Sequence, residues 1–168
     1  LAELDVPPMA ERQAVLAYGS NASPAQLARK YRHATCSRVI PMTRGWVRHL
    51  AVVYSDHETV YGAIPATPIV SADVCTEVFV AWLDDEQLFD LDRSEGRNYE
   101  RRAFDLRAHP LHVSDGPMPT EVDVYTSVRG IFTHDGVIPA VAGIDTTYRA
   151  GPLLTQNEVR TLRARRRG

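Results

Sequence analysis

Residues 14–18, Ala-Val-Leu-Ala-Tyr, are apolar without interruption, and so short a run reads as a buried strand rather than a helix. It stops at Gly19-Ser20-Asn21. The next four residues, Ser23-Pro24-Ala25-Gln26, predict a helix start: Ser23 as cap, Pro24 at the first helical position and Gln26 completing a capping box, with the helix running to about Tyr31. Residues 36–42, 46–55 and 60–68 carry β-branched and aromatic side chains between turn residues and are predicted as strands. Residues 75–83 are close to a continuous apolar run, as the interior of a sheet requires. Asp84 and Gln87 predict a second capping box, with Leu88, Phe89 and Leu91 as the buried face of a short helix and Gly96 as its stop.

Beyond Gly96 the pattern alternates, with Tyr99, Arg101, Ala103 and Asp105 on one side and Glu100, Arg102, Phe104 and Leu106 on the other. Residues 121–130 alternate again around Val122, Val124 and Val128. Thr155 to Glu158 form a third capping box, opening a C-terminal helix with Val159 and Leu162 inward. There is no internal repeat and no low-complexity linker. Strands dominate and helices are few and interspersed, which predicts an α+β domain or a barrel with helices at its ends.

A chain of 168 residues, 44% hydrophobic, suits one domain over 1–168, with residues 1–13 expected to form a loose N-terminal arm. The net charge of −2 provides no broad basic field for nucleic acid, and the Arg-rich tail at 163–168 reads as a solvated helix end. No apolar run approaches the length of a membrane span, and Asp5, Pro7, Pro8 and Glu11 interrupt any signal-peptide core, so a cytoplasmic location is expected. Cys36 and Cys75 lack the spacing of a zinc or redox site and fit reduced thiols. His109 and His112 flank Pro110 in an extended stretch that suits a loop better than a metal centre. Lys30 is the only lysine, and its polar helical context argues against a Schiff base or a lysine general base.

Two stretches carry candidate chemistry. A strand that runs into Gly19-Ser20-Asn21 and then into a capped helix leaves backbone N–H groups free where the helix dipole is positive, an arrangement that can cradle an anion. The Ser20 hydroxyl and Asn21 amide can add hydrogen bonds. An ordinary strand-to-helix turn uses the same residues. The absence of a P-loop lysine and its glycines disfavours a triphosphate and favours a small carboxylate. The second stretch is 88–102, in which Glu95 precedes Gly96 at a helix end. Pointed into a cavity, burial would favour its neutral form and suit it to proton transfer; pointed at water, it is an ordinary last-turn carboxylate.

Together, Tyr18-Gly19-Ser20-Asn21 and Leu91-Asp92-Arg93-Ser94-Glu95-Gly96 with Tyr99 and Arg101 resemble the γ-glutamylcyclotransferase-like superfamily, over roughly residues 14–128. The resemblance implies a small mixed β-barrel with flanking helices and a substrate pocket floored by residues 18–21. It also implies a single catalytic carboxylate, Glu95. Similar proteins convert γ-glutamyl amines or amino acids into 5-oxoproline and a free amine. Because the substrate's own α-amine attacks its γ-carbonyl, no covalent nucleophile, metal or cofactor is required. Tyr18, Tyr99 and Tyr125 are candidates to wall the pocket, each equally readable as a structural tyrosine, and Arg101 is a candidate partner for a carboxylate. The partner implied is a small γ-glutamyl molecule, with no nucleic acid and no membrane, bound by a monomer or homodimer.

Two other readings stay open: a non-catalytic carboxylate-binding domain of the same fold, and a biosynthetic enzyme that removes a γ-glutamyl group from an amine. An uncompensated Glu95 beside a carboxylate cradle speaks against the first. Asn21 in place of the leucine common to the glutathione-specific branch makes that branch the less fitting one.

Overall fold

The computed structural model describes residues 1–167 apart from Asp5. Its strands are β1 (Gln13–Ala17), β2 (Met42–Tyr54), β3 (Ala66–Leu83), β4 (Tyr99–Ala103), β5 (Leu111–Val113), β6 (Asp123–Ser127), β7 (Ala140–Val141) and β8 (Leu153–Leu154). The helices are α1 (Pro24–Lys30), α2 (Asp85–Glu95) and α3 (Gln156–Arg167). All eight strands form one mixed sheet in the order β4-β6-β1-β3-β2-β7-β8, with β5 also pairing with β2.

This is the expected α+β class, but the expected barrel is an open sheet. The strand path begins at β4 and ends at β8, and no pairing among the described residues joins those edges. Closure is replaced by one long bent ribbon. β2 and β3 pair antiparallel from Met42↔Ala81 to Tyr54↔Ala66, with a register shift between Arg48 and Leu50 where His49 takes φ +59°. Such a bulge bends and twists a strand pair and lets one strand serve different neighbours along its length. Accordingly, β2 pairs with β5 near Trp46 and with β7 at Val53.

β1 runs antiparallel to β3 and parallel to β6, so it lies inside the sheet. Its period-2 alternation divides two cores. Ala14, Leu16 and Tyr18 pack with Val52, Val80 and Val124, whereas Val15 packs with Leu27, Leu88 and Leu91 from the helices. That two-sided burial explains the uninterrupted apolar run. α2 forms as the sequence predicts: Gln87 N donates to Asp84 Oδ1 (2.9 Å) and Asp84 N to Gln87 Oε1 (3.1 Å), and Gly96 ends the helix at φ +57°. Its buried residues are Gln87, Leu88 and Leu91, while Phe89, expected inward, is exposed. The third capping box also forms, with Thr155 N donating to Glu158 Oε2 at 2.7 Å and Val159 buried.

Several local expectations are revised. Pro24 does occupy the start of α1, yet the Ser23 hydroxyl makes no cap hydrogen bond. Residues 36–41 and 60–65 lie outside the strands. In the second segment Gly62 adopts φ +80°, and a turn closes from Thr59 N to Ala63 O at 2.8 Å. The stretch expected as a loose arm ends in a buried anchor, since the Arg12 side chain is inaccessible and donates to Pro7 O, Trp82 O and Gln87 Oε1. No helix of the described residues is long and apolar enough to cross a membrane.

Candidate active site

β1 delivers Tyr18 to a cavity of about 380 Å³, and the chain then turns through a 3-10 segment, Gly19–Ala22, before α1. The opening N–H groups of such a turn have no partner within it. Gly19 is required twice. It adopts φ +59°, and a Cβ there would stand 3.2 Å from Ala66 Cβ at the start of β3. Gly19→Val is therefore expected to lower stability by about 1–2 kcal/mol through left-handed backbone strain alone, with more from the contact with Ala66. Urea denaturation beside a Ser20→Ala control reads this, and an unchanged midpoint would contradict it.

Glu95 reaches the same cavity because Leu91, four residues earlier, is buried, and positions four apart share a helix face. Its Oε1 accepts from Asn21 Nδ2 at 2.9 Å and from Lys30 Nζ at 2.6 Å. Lys30 Nζ also donates to Asn21 Oδ1 at 2.7 Å, which closes a triangle of three side chains. The acid expected to stand alone is thus ion-paired, with both side chains largely enclosed, Lys30 13% and Glu95 10% exposed. Sequence reasoning set Lys30 aside for its polar surroundings. The overlooked signal was position: Lys30 follows the buried Leu27 by three residues and precedes the buried Tyr31, at the edge of the inward face of α1.

The tyrosines form the adjoining wall. Tyr18 OH donates to Tyr125 O, Tyr99 OH to Ala66 O at 2.6 Å, and Tyr125 OH to Asp92 Oδ1 at 2.6 Å. Burial, with lesser contributions from Tyr99 and Glu95, holds the Tyr18 hydroxyl well above its ordinary range. Burial also raises Tyr99, reinforced by Glu95, and Tyr125, reinforced by Asp92. All three remain neutral, with their hydroxyl protons engaged by protein acceptors, so the wall adds no charge.

Arg101 does not line the cavity. Its guanidinium donates to Asp92 Oδ1 (3.0 Å) and Oδ2 (3.1 Å) and to Asp123, tying the end of α2 to β4 and β6 behind Tyr125. Burial pushes the Asp92 carboxyl up, but hydrogen bonds from Arg101 and Tyr125 and the Arg101 charge outweigh it and hold the group below its ordinary range. A carboxyl depressed in the folded state contributes stability above its unfolded pKa of about 3.9 and loses it as pH falls through the folded value. The melting-temperature difference between wild type and Asp92→Asn is accordingly expected to be largest above about pH 5 and to shrink as the pH falls below about 4 and through the lowered pKa of Asp92. A pH-independent difference would remove Asp92 from that role.

A second wall, residues 57–66 with Val141 and Gln156, meets the first where Tyr99 OH donates to Ala66 O, and it had no counterpart among the site residues read from the sequence. His57 belongs to it. Its Nδ1 lies 2.8 Å from Ser55 Oγ, which in turn lies 2.6 Å from Ser127 Oγ. Burial and the Arg129 and Arg163 charges lower the His57 pKa despite Asp56, so the imidazole is neutral. A larger hollow, about 470 Å³, lies by Arg12, Trp82 and residues 117–123, but Arg12 and Asp123 there are already committed to Gln87 and Arg101. The Cys36 thiol, raised by burial and then by Asp90 and Asp84, lies outside the cavity and is poorly suited to act as a nucleophile.

No known protein family matches the sequence, and no curated protein matches it. Solved structures do share its fold. A gamma-glutamyl cyclotransferase aligns with a TM-score of 0.56 at 15% identity, over 71% of this chain and 69% of that one. A protein of Arabidopsis thaliana solved in solution aligns at 0.51 and 17%, over 70% of each chain. An uncharacterized protein from Homo sapiens aligns at 0.53 and 16%, over 69% of this chain and 66% of that one. The class is therefore defined at the level of fold: this chain has the γ-glutamylcyclotransferase-like fold. The resemblance carried by residues 18–21 and 91–101 agrees with it.

Proposed function

We propose that the protein is a γ-glutamylcyclotransferase-type enzyme, releasing 5-oxoproline and a free amine or amino acid from a γ-glutamyl amide. The observation that carries this reading is the convergence of Glu95, Asn21 and Lys30 on one cavity at the start of the 19–22 turn. A γ-glutamyl head is a zwitterion. Its α-carboxylate suits Lys30 and the turn, and its α-ammonium suits Glu95, so the substrate exchanges the internal ion pair for two ion pairs of its own.

Held in this way, the α-nitrogen can fold back on the γ-carbonyl, and intramolecular attack gains its rate from proximity. Glu95 accepts a proton from the α-ammonium and passes it to the departing nitrogen when the tetrahedral species collapses. Tyr18, Tyr99 and Tyr125 wall the reacting groups. A cytoplasmic setting fits the two free thiols.

The second reading is a carboxylate-binding domain without turnover. It is favoured by one observation: Glu95 is compensated by Lys30, so a pocket that only binds would tolerate it. Incubation of the purified protein with γ-glutamyl amino acids, γ-glutamyl amines and glutathione, followed by mass spectrometry for 5-oxoproline, separates the two. Product supports the enzyme; a raised melting temperature without product supports the binding domain.

A further inference from the structure

The two walls of the cavity differ in chemistry. The wall of residues 57–66 presents Ala63, Ile64, Pro65 and Ala66, joined by Val141; Thr59 and Gln156 are engaged with backbone, and His57 Nδ1 meets Ser55 Oγ while its Nε2 is buried without a protein partner. Thr59 Oγ1 donates to Ala63 O at 3.1 Å and accepts from Ala63 N at 3.0 Å. Gln156 grips Ile64, donating to its carbonyl at 2.6 Å and accepting from its N–H at 2.9 Å. The neutral His57 adds no charge. Tyr61, which lines the cavity, is exposed.

Among the described residues lining the cavity, the charged side chains are Lys30 and Glu95. The glutamyl head uses both, cation to carboxylate and carboxylate to ammonium. A second carboxylate, as in a γ-glutamyl amino acid or peptide, would meet no further cation inside. Arg29 stacks on the Tyr61 ring at 4.7 Å, and Arg160 belongs with Glu58 to a separate hollow along α3. A carboxylate against this wall meets no cation and at most the one unpartnered imidazole nitrogen of His57, which does not replace its hydration, whereas an alkyl or aryl group gains by burial there.

Resting on the cyclotransferase reading, we propose that the substrates are γ-glutamyl amides of neutral, apolar amines rather than γ-glutamyl amino acids or peptides. In the reaction the bond from the γ-carboxyl carbon, Cδ, to the amine nitrogen breaks and a bond from the α-nitrogen to Cδ forms. Two protons leave the α-ammonium, the first by way of Glu95, and both end on the departing amine, which is released as an ammonium ion beside 5-oxoproline. No oxidant or co-reactant enters.

A matched pair tests this: γ-glutamyl-phenethylamine and γ-glutamyl-phenylalanine differ only in the carboxylate. The expected kcat/KM ratio is at least about tenfold in favour of the phenethylamide, the scale on which one site contact discriminates. A ratio near or below one, with 5-oxoproline formed from both, overturns this inference and leaves the cyclotransferase reading standing. Ala63→Arg places a cation on the second wall and is expected to move the ratio toward the phenylalanine compound; a folded variant whose ratio does not move overturns the charge-matching argument. If neither compound is turned over, calorimetric titration reads the same preference as a ratio of dissociation constants. Preference for the phenethylamide there supports the inference while the catalytic reading fails, and no binding of either compound overturns both.

Discussion

Glu95→Gln is expected to lower 5-oxoproline formation at least about 100-fold, the usual loss when a general acid–base is removed. Gln is nearly isosteric and can still accept from Asn21 Nδ2 and Lys30 Nζ through its amide oxygen, the contacts now made at 2.9 and 2.6 Å. What disappears is the basic carboxylate. On the cyclotransferase reading the loss should therefore fall on kcat, with substrate binding changed less, because the turn and Lys30 would still meet the α-carboxylate. Single-turnover kinetics on wild type and variant, with equal melting temperatures as a check on folding, measure it. A variant that retains more than about a tenth of wild-type kcat would remove Glu95 from the proton transfer that the magnitude assumes.

Arg12→Ala is expected to cost about 3 kcal/mol of stability or more, because several buried acceptors lose charged donors together. Arg12 Nη1 donates to Gln87 Oε1 at 2.9 Å, Trp82 O at 3.2 Å and Val39 O at 3.4 Å, while Nε donates to Pro7 O at 2.9 Å. The Nη2 atom is buried without a protein partner, which offsets part of the gain. The same Gln87 oxygen closes the capping box of α2, and its Nε2 holds Ser37 O and Val39 O, so the deletion loosens the irregular segment 36–41 and the start of the helix that ends in Glu95. For a chain of this length the loss corresponds to a fall in melting temperature of roughly 6–12 °C. Arg12→Lys should recover only part of it, since one ammonium cannot span acceptors that a planar guanidinium reaches at once. A loss under about 1 kcal/mol on Arg12→Ala would mean that the network merely follows the fold.

The sequence alone determined the features written within a few residues of one another. The caps at Asp84 and Thr155 bond to partners three positions away, Gly96 stops the helix it follows, and the run 14–18 followed by Gly19-Ser20-Asn21 specified strand and turn. The caps at Asp84 and Thr155 depend on partners three positions away, which is why they could be read directly, whereas the cap read at Ser23 does not form. The motif residues Tyr18, Gly19, Ser20, Asn21, Glu95, Tyr99 and Tyr125 do line one cavity.

Only the tertiary structure decided what each of them faces. Lys30 meets Glu95 across 65 positions, Arg12 meets Gln87 across 75, and Arg101 meets Asp123 on a neighbouring strand instead of the cavity. Phe89 points outward because Leu88 and Leu91 pack inward with Val15, Leu83 and Tyr125, and the sheet is open because β4 and β8 at its two edges do not pair among the described residues. Such pairings depend on how elements pack, and packing is set by the shape of the whole core rather than by any residue's near neighbours. The apolar wall at 57–66, on which the substrate inference rests, is of this kind. Its residues look like a strand in sequence and become a cavity wall only where Gly62 turns the chain and Gln156, 92 positions away, holds Ile64 in place.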